Sequence, residues 1–319
     1  MILPPSYVDL QVNGYAGVDF NQDDLSAADL HQACQRLRED GVTGILATII
    51  TDKIPQMAAR LARIAAVCEQ DALVRKTVWG IHIEGPFLNA SPGYVGAHLP
   101  QAVCPPDVEV MKRLLEAAGG LTRLVTLAPE CDRGLKVTRY LARHDVVVSA
   151  GHSDASYDEL SAAIDAGLSM FTHLGNGCPM MLPRNDNIIQ RALGLRERLT
   201  ISFIADGVHV PPVALANYLH LAGIERSIVV TDAISAARLG PGNYSLGRQE
   251  ITIGEDLVAH APNSPMLMGS TATMPRMAAV LRDEIGLSED EIRQLVLDNP
   301  RRVLAQVAGL PADGAAVEK

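Results

Sequence analysis

The 319-residue sequence predicts an α/β fold of the (β/α)8 TIM-barrel type, for three reasons. Short apolar, β-branched runs alternate with longer amphipathic stretches, the pattern of βαβ units on a parallel sheet. The strand-like runs number eight, which favours a closed barrel over an open doubly wound sheet. Polar residues gather at the C-terminal ends of these runs (Asn13, Glu84, Glu130, His152, His173, Asp206 with His209, and Asp232), the ends that converge on one mouth in a barrel.

The predicted strands cover residues 7–13, 42–50, 78–84, 123–129, 146–151, 169–174, 200–205 and 227–232. Helical patterns lie between them at 26–39, 53–70, 107–118, 133–143, 155–166 and 211–222. Ser26 precedes a run of good helix formers, and Pro211-Pro212 suits a first helical turn. The stretch 179–199 is less regular and carries a helix over 188–196. After the eighth strand, residues 240–269 are rich in Gly and Pro, with alternating patches at 249–253 and 257–260 that predict a hairpin insertion over the mouth. Helices are expected at 274–285 and 289–306. Residues 1–310 are therefore expected to form one barrel, with 311–319 a flexible tail.

Composition narrows the function classes. Hydrophobic residues make up 48% and charged residues 20%, which excludes a disordered chain. Against 27 basic residues stand 37 acidic ones, a net charge of −10 that argues against a nucleic-acid partner. No run of about 20 apolar residues exists to span a membrane. Met1-Ile2-Leu3-Pro4-Pro5 lacks the basic, apolar start of a signal peptide. The five cysteines (Cys34, Cys68, Cys104, Cys131, Cys178) are odd in number and form no CxxC pair, so they read as reduced thiols in a cytoplasmic protein.

Glu84, His152 and His173 offer one carboxylate and two imidazoles, a set suited to Zn²⁺ with an open position for water. The same ligands accept Fe²⁺, Co²⁺ or Mn²⁺. Because they come from three strands, this reading depends on the barrel. Asp232 follows Ile228-Val229-Val230-Thr231, and a carboxylate there reads either as a turn residue or as the general base for a water that the metal acidifies.

Six motifs occur in order: Asp9-Leu10-Gln11-Val12-Asn13-Gly14, Gly80-Ile81-His82-Ile83-Glu84-Gly85-Pro86-Phe87-Leu88-Asn89, Gly151-His152-Ser153, Thr172-His173-Leu174-x-Asn176, Ala205-Asp206-Gly207-Val208-His209-Val210 and Thr231-Asp232-Ala233. Together, over residues 7–303, they resemble the N-acetylglucosamine-6-phosphate deacetylases of the amidohydrolase superfamily. The resemblance implies that Glu84, His152 and His173 hold the metal and that Asp232 activates water. It implies substrate contacts by Ala97, His98, Asn176, Gly177, Arg184, His209, Leu267, Met268 and Gly269. Among these, His98 polarises the scissile carbonyl, Asn176, Gly177 and Arg184 bind phosphate, and His209 meets a sugar hydroxyl. Gln11-x-Asn13 stands where many superfamily members carry His-x-His, so a single metal is expected. Related enzymes suggest a homodimer.

The chain departs from the family in three places. It opens on the first barrel strand, so the family's small β-sandwich is expected to be largely absent. The loop Pro183-Arg184-Asn185-Asp186-Asn187 lacks the glycines and the glutamate-proline common in the family, and Met268 is bulkier than the small residue often found there. The expected activity is hydrolysis of the acetamide of N-acetylglucosamine 6-phosphate or a similar sugar. The alternatives are deacylation of an unphosphorylated N-acyl sugar or small amide at the same centre, and non-catalytic sensing of a sugar phosphate. A deaminase is disfavoured because that branch commonly uses the absent His-x-His.

Overall fold

The computed structural model describes residues 6–261 and 267–307. Thirteen strands run along this part of the chain: β1 (Tyr7–Val12), β2 (Gly14–Tyr15), β3 (Val18–Asp19), β4 (Val42–Ile50), β5 (Val78–Glu84), β6 (Thr122–Leu127), β7 (Val147–Ala150), β8 (Leu168–Phe171), β9 (Thr200–Ile204), β10 (Ser227–Val230), β11 (Gly242–Leu246), β12 (Gln249–Ile253) and β13 (Ala259–His260). Eight of them form one parallel sheet in the order β1-β4-β5-β6-β7-β8-β9-β10. This is the expected (β/α)8 barrel. Every residue of β1 is buried, as are those of β4 except Thr43, so the barrel interior is a packed core.

The seam between β1 and β10 is closed differently from the other neighbours. It carries one isolated parallel bridge, Val12 with Ala233, rather than a ladder. The Asn13 amide donates to the Ala233 carbonyl at 2.7 Å. Buried Asp9 accepts from the Thr231 amide at 3.2 Å and from its hydroxyl at 2.6 Å.

The helices start where their caps dictate. Ser26 and Asp29 form a capping box on Ala27–Glu39, Ser156 and Glu159 one on Tyr157–Asp165, and Ser288 and Glu291 one on Glu289–Arg293. A helix over Ala72–Thr77 was not expected. Asp71 ends Ile54–Gln70 and immediately caps this helix through its carboxylate, so no Gly or Pro marks the break. The helix expected at 188–196 stops at Gly194, and a 3-10 turn, Arg196–Arg198, follows. Each long C-terminal helix relaxes into a wider π-type turn, at Leu281–Ile285 and at Gln294–Asp298. Asn299 then anchors the last helix by donating to the Ile224 and Ser227 carbonyls, both at 2.7 Å.

The insertion differs from its expected hairpin. Three antiparallel strands form it in the order β11-β12-β13, and β11 and β12 make the hairpin. Strand β11 buries only Leu246 of its five residues, so it carries no apolar alternation to read. Leu246, Ile251, Ile253 and Ala259 pack with Met268 against Ile50, Ile234 and Ala236, roofing one side of the mouth. Its turn is tied down by ions: Arg248 reaches Asp52 at 3.0 Å and Asp23 at 2.6 Å, while buried Arg60 pairs with the same two carboxylates at 2.9 and 2.8 Å.

No described helix is long and apolar enough to cross a membrane. The expected tail, 311–319, lies outside the described residues.

Candidate metal centre and active site

Glu84 is the last residue of β5, so its carboxylate stands at the barrel mouth. His152, His173 and Asp232 each lie two residues beyond the end of their strands, β7, β8 and β10. All three adopt left-handed backbone, with φ of 51°, 34° and 51°. That conformation is costly for residues with a Cβ and recurs where a site dictates side-chain direction. For His173 the cost is offset locally: its amide donates to the Ser202 hydroxyl at 2.7 Å.

The three imidazoles converge on one carboxylate oxygen. Glu84 Oε1 lies 3.0 Å from His173 Nε2, 3.2 Å from His152 Nε2 and 3.8 Å from His98 Nε2. All four side chains are almost fully buried. Burial alone would raise the Glu84 carboxyl, but the imidazoles of His152, His173 and His98 gathered on it override burial and hold it well below the usual carboxylate range. Burial pushes His98 down to about 4. Burial also lowers His173, yet the adjacent Glu84 carboxylate reverses the balance and raises it.

Glu84, His98 and His152 present ligand atoms all within 4.8 Å of one another, and His173 touches the same Glu84 oxygen. The hydrogen bonds on the far side of each ring separate their capacities. His152 Nδ1 donates to the Tyr94 carbonyl at 2.8 Å, which leaves its Nε2 lone pair free to ligate. His98 Nδ1 instead accepts from the Thr51 amide at 3.3 Å, so the single proton of the neutral ring sits on Nε2 and points into the site. In that tautomer His98 presents a donor to the site, 3.2 Å from His152 Nε2. The donor set of one ionised carboxylate and bare imidazole nitrogens, buried away from water, fits a divalent cation; His173 Nδ1 is a buried atom without a partner.

Asp232 lies across the mouth. Its Oδ1 accepts from Asn13 Nδ2 at 2.7 Å and from Gln11 Nε2 at 3.0 Å, and Gln11 Nε2 also reaches Glu84 Oε2 at 3.2 Å. Burial and the Glu84 charge push its carboxyl up to about 6.

These groups open onto a cavity of about 390 Å³. Ala97, His98, Asn176, Gly177, His209, Leu267 and Gly269 line it together with Asn13, Glu84, His152, His173 and Asp232. Asp206 orients His209 by accepting from its Nδ1 at 2.7 Å. Two expected substrate contacts lie elsewhere. Arg184 is exposed on the loop before Ile188 and is absent from the cavity wall, which among the described residues carries no Lys or Arg. Met268 is buried in the apolar cluster beneath the inserted sheet. Glu130, in the 3-10 turn Pro129–Cys131 after β6, braces loops instead, accepting from Asn89, Ser153 and the Asp154 amide.

Sequence reasoning missed the Tyr94 carbonyl and the Thr51 amide, because backbone groups have no sequence signature. The amide pair Gln11 and Asn13 was legible, since residues two apart on a strand share a face.

No family model matches the chain. It is 32% identical over 305 residues to the N-acetylglucosamine-6-phosphate deacetylase of Bacillus subtilis (strain 168), spanning 95% of this chain and 75% of that protein. It is 31% identical over 303 residues to the N-acetylgalactosamine-6-phosphate deacetylase of Escherichia coli O157:H7, with 95% and 78% covered. Among solved structures, the N-acetyl-D-glucosamine-6-phosphate deacetylase of Mycobacterium smegmatis matches at TM-score 0.85 and 32% identity, over 94% of this chain and 78% of that one. The N-acetylglucosamine-6-phosphate deacetylase of Thermotoga maritima matches at TM-score 0.83 and 26% identity, over 94% and 78%. The barrel, the converging site and these relatives agree: the chain belongs to the N-acetylglucosamine-6-phosphate deacetylase family, metal-dependent enzymes of the amidohydrolase superfamily.

Proposed function

We propose that the chain hydrolyses the acetamide of an N-acetylated amino sugar 6-phosphate, N-acetylglucosamine 6-phosphate first among them, giving the amino sugar phosphate and acetate. The observation that carries this is the buried Glu84 carboxylate met by His152 and His173, with Asp232 facing the same cavity. In this reading Glu84, His152 and His173 hold one divalent ion, Zn²⁺ before Fe²⁺, Co²⁺ or Mn²⁺. When bound, the ion polarises the amide carbonyl and acidifies the attacking water. His98 donates its Nε2 proton as a hydrogen bond to the carbonyl oxygen as charge builds there. Asp232 takes the water's proton on Oδ2, which has no protein hydrogen bond among the described residues, and delivers it to the departing amine. His209, fixed by Asp206, and Asn176-Gly177 bind the sugar and its phosphate, with Arg184 as the counter-charge.

Residues 1–310 act as one catalytic barrel in this reading, supported by the single eight-stranded sheet. The five free thiols agree with a cytoplasmic setting, and exposed Met180 and Met181 beside the cavity agree with a homodimer. A cavity wall without Lys or Arg among the described residues favours a second reading, an unphosphorylated N-acyl sugar at the same centre. Acetate release from N-acetylglucosamine 6-phosphate, N-acetylgalactosamine 6-phosphate and their unphosphorylated counterparts decides. Preference for the phosphates, with KM raised in Arg184→Ala, supports the first reading. Equal use of the free sugars supports the second, and no release from any zinc-loaded mixture defeats both.

A further inference from the structure

Gln11 and Asn13 do more than fill the places of two histidines. Gln11 ends within β1 and Asn13 follows it, both on the inward face and both only 2% exposed. The two acceptors around the Gln11 amide are carboxylate oxygens, so its amino group must be the end that faces them. We propose that this amide pair is a positioning device that assigns the carboxylate oxygens of the site, holding one oxygen of each acid and leaving the other free to work.

The bonds divide the oxygens cleanly. Gln11 Nε2 has two hydrogens and spends one on Glu84 Oε2 at 3.2 Å and one on Asp232 Oδ1 at 3.0 Å. Asn13 Nδ2 adds a second bond to the same Asp232 oxygen at 2.7 Å. Glu84 is therefore left with Oε1 toward the imidazoles, and Asp232 with Oδ2 toward the cavity. Neutral N–H donors suit this task. They relieve repulsion between two buried acids without adding a charge or a lone pair that would compete for the cation. Gln11 also sets the separation of the two acids, because one nitrogen is bonded to both.

The division of contacts predicts a division of effects. Of the two acids, the Asn13 side chain bonds only Asp232, whereas Gln11 bonds both. Asn13→Ala is expected to lower kcat with KM and zinc affinity nearly unchanged. Gln11→Ala is expected to lower kcat and also to weaken zinc binding by roughly 10- to 100-fold, the usual effect of losing a partner behind a ligand. Asn13→Asp keeps the volume but replaces a donor with an acceptor, so it should fail to restore kcat.

The test measures zinc affinity of the apoprotein against a competing chelator, kcat and KM on N-acetylglucosamine 6-phosphate, and the melting temperature of each variant. The proposal stands if the folded variants show this split. It falls if folded Asn13→Asp retains wild-type kcat, if folded Gln11→Ala binds zinc like wild type, or if both variants lose activity only in proportion to lost folding. The kinetic arm rests on the deacetylase reading, and wild-type turnover is its control: absence of turnover there refutes that reading, while the zinc arm still judges Gln11.

Discussion

Replacing Gly177 by alanine should weaken metal binding without any ligand being touched. Two glycines lie against the Nδ1–Cε1 edge of the His152 ring. A Cβ on Gly177 would lie 2.9 Å from His152 Nδ1 and 3.1 Å from Cε1, and one on Gly96 would lie 2.9 Å from Cε1 and 3.2 Å from Nδ1. Ordinary contacts are about 3.5–4.0 Å, so the ring must retreat by roughly half an ångström. That movement strains the bond from His152 Nδ1 to the Tyr94 carbonyl, now 2.8 Å, and exceeds the roughly 0.2 Å tolerance of a metal ligand. Gly177 also sits at φ 60°, which adds about 1–2 kcal/mol of backbone cost for alanine. The two costs are separable. Gly120 has φ 80° and nothing within 4 Å of an added Cβ, so Gly120→Ala carries the backbone cost alone. Denaturant unfolding of the two apoproteins should show similar losses, with Gly177→Ala losing about 1 kcal/mol more for the strained bond. Zinc competition should show a 10- to 100-fold weaker affinity, about 1.4–2.7 kcal/mol, in Gly177→Ala only. Equal zinc affinities in the two folded variants would falsify the argument.

Asp232→Asn should retain zinc but lose roughly 10²- to 10⁴-fold in kcat, as expected when the proton shuttle is removed; measurable wild-type turnover in a zinc-free preparation of this variant refutes the mechanism. Arg60→Met strips one partner from buried Asp52 and should cost about 3–5 kcal/mol in urea unfolding, despite the remaining Arg248 contact. Burial pushes the Asp19 carboxyl from 3.8 up to about 6, so the folded chain keeps a proton that the unfolded chain has released. Its contribution to stability is therefore lost as pH rises from about 4 to about 6. Over that window Asp19→Asn should gain on wild type by about 3 kcal/mol, and parallel stability curves would rule this out.

What the sequence displayed was set by periodicity, and what it hid was set by the backbone. Strands β4 and β5 match their expected bounds because apolar and β-branched residues dominate them and nearly every position is buried. The expected strand at 169–174 overran β8, because Thr172 and His173 continue the apolar-polar pattern while the chain has already left the ladder and His173 turns left-handed. Glu84, His152, His173 and Asp232 could be named because strand ends in a barrel converge. Which ring nitrogen of His98 and His152 carries the proton was not legible, since it depends on whether the imidazole faces a carbonyl at Tyr94 or an amide at Thr51. Arg184 shows the opposite limit: a motif position can be matched in sequence while its side chain stands in solvent outside the cavity.

The seam between β1 and β10 should give the barrel an unequal breathing pattern. Glu84, His152 and His173 hang on strands joined by ladders, whereas Gln11, Asn13 and Asp232 straddle a junction held by one isolated bridge, the backbone bonds from Asn13 and Gly14 to Ala233 and the Asp9–Thr231 clasp. Small excursions of that junction would carry the base toward and away from the ligands while leaving the ligands still. A substrate gripped between the two sides then acts as a staple across the gap. Amide hydrogen exchange at Asn13 and Thr231 should slow on binding a non-hydrolysed analogue far more than exchange within β5 or β6, which is already held on both edges.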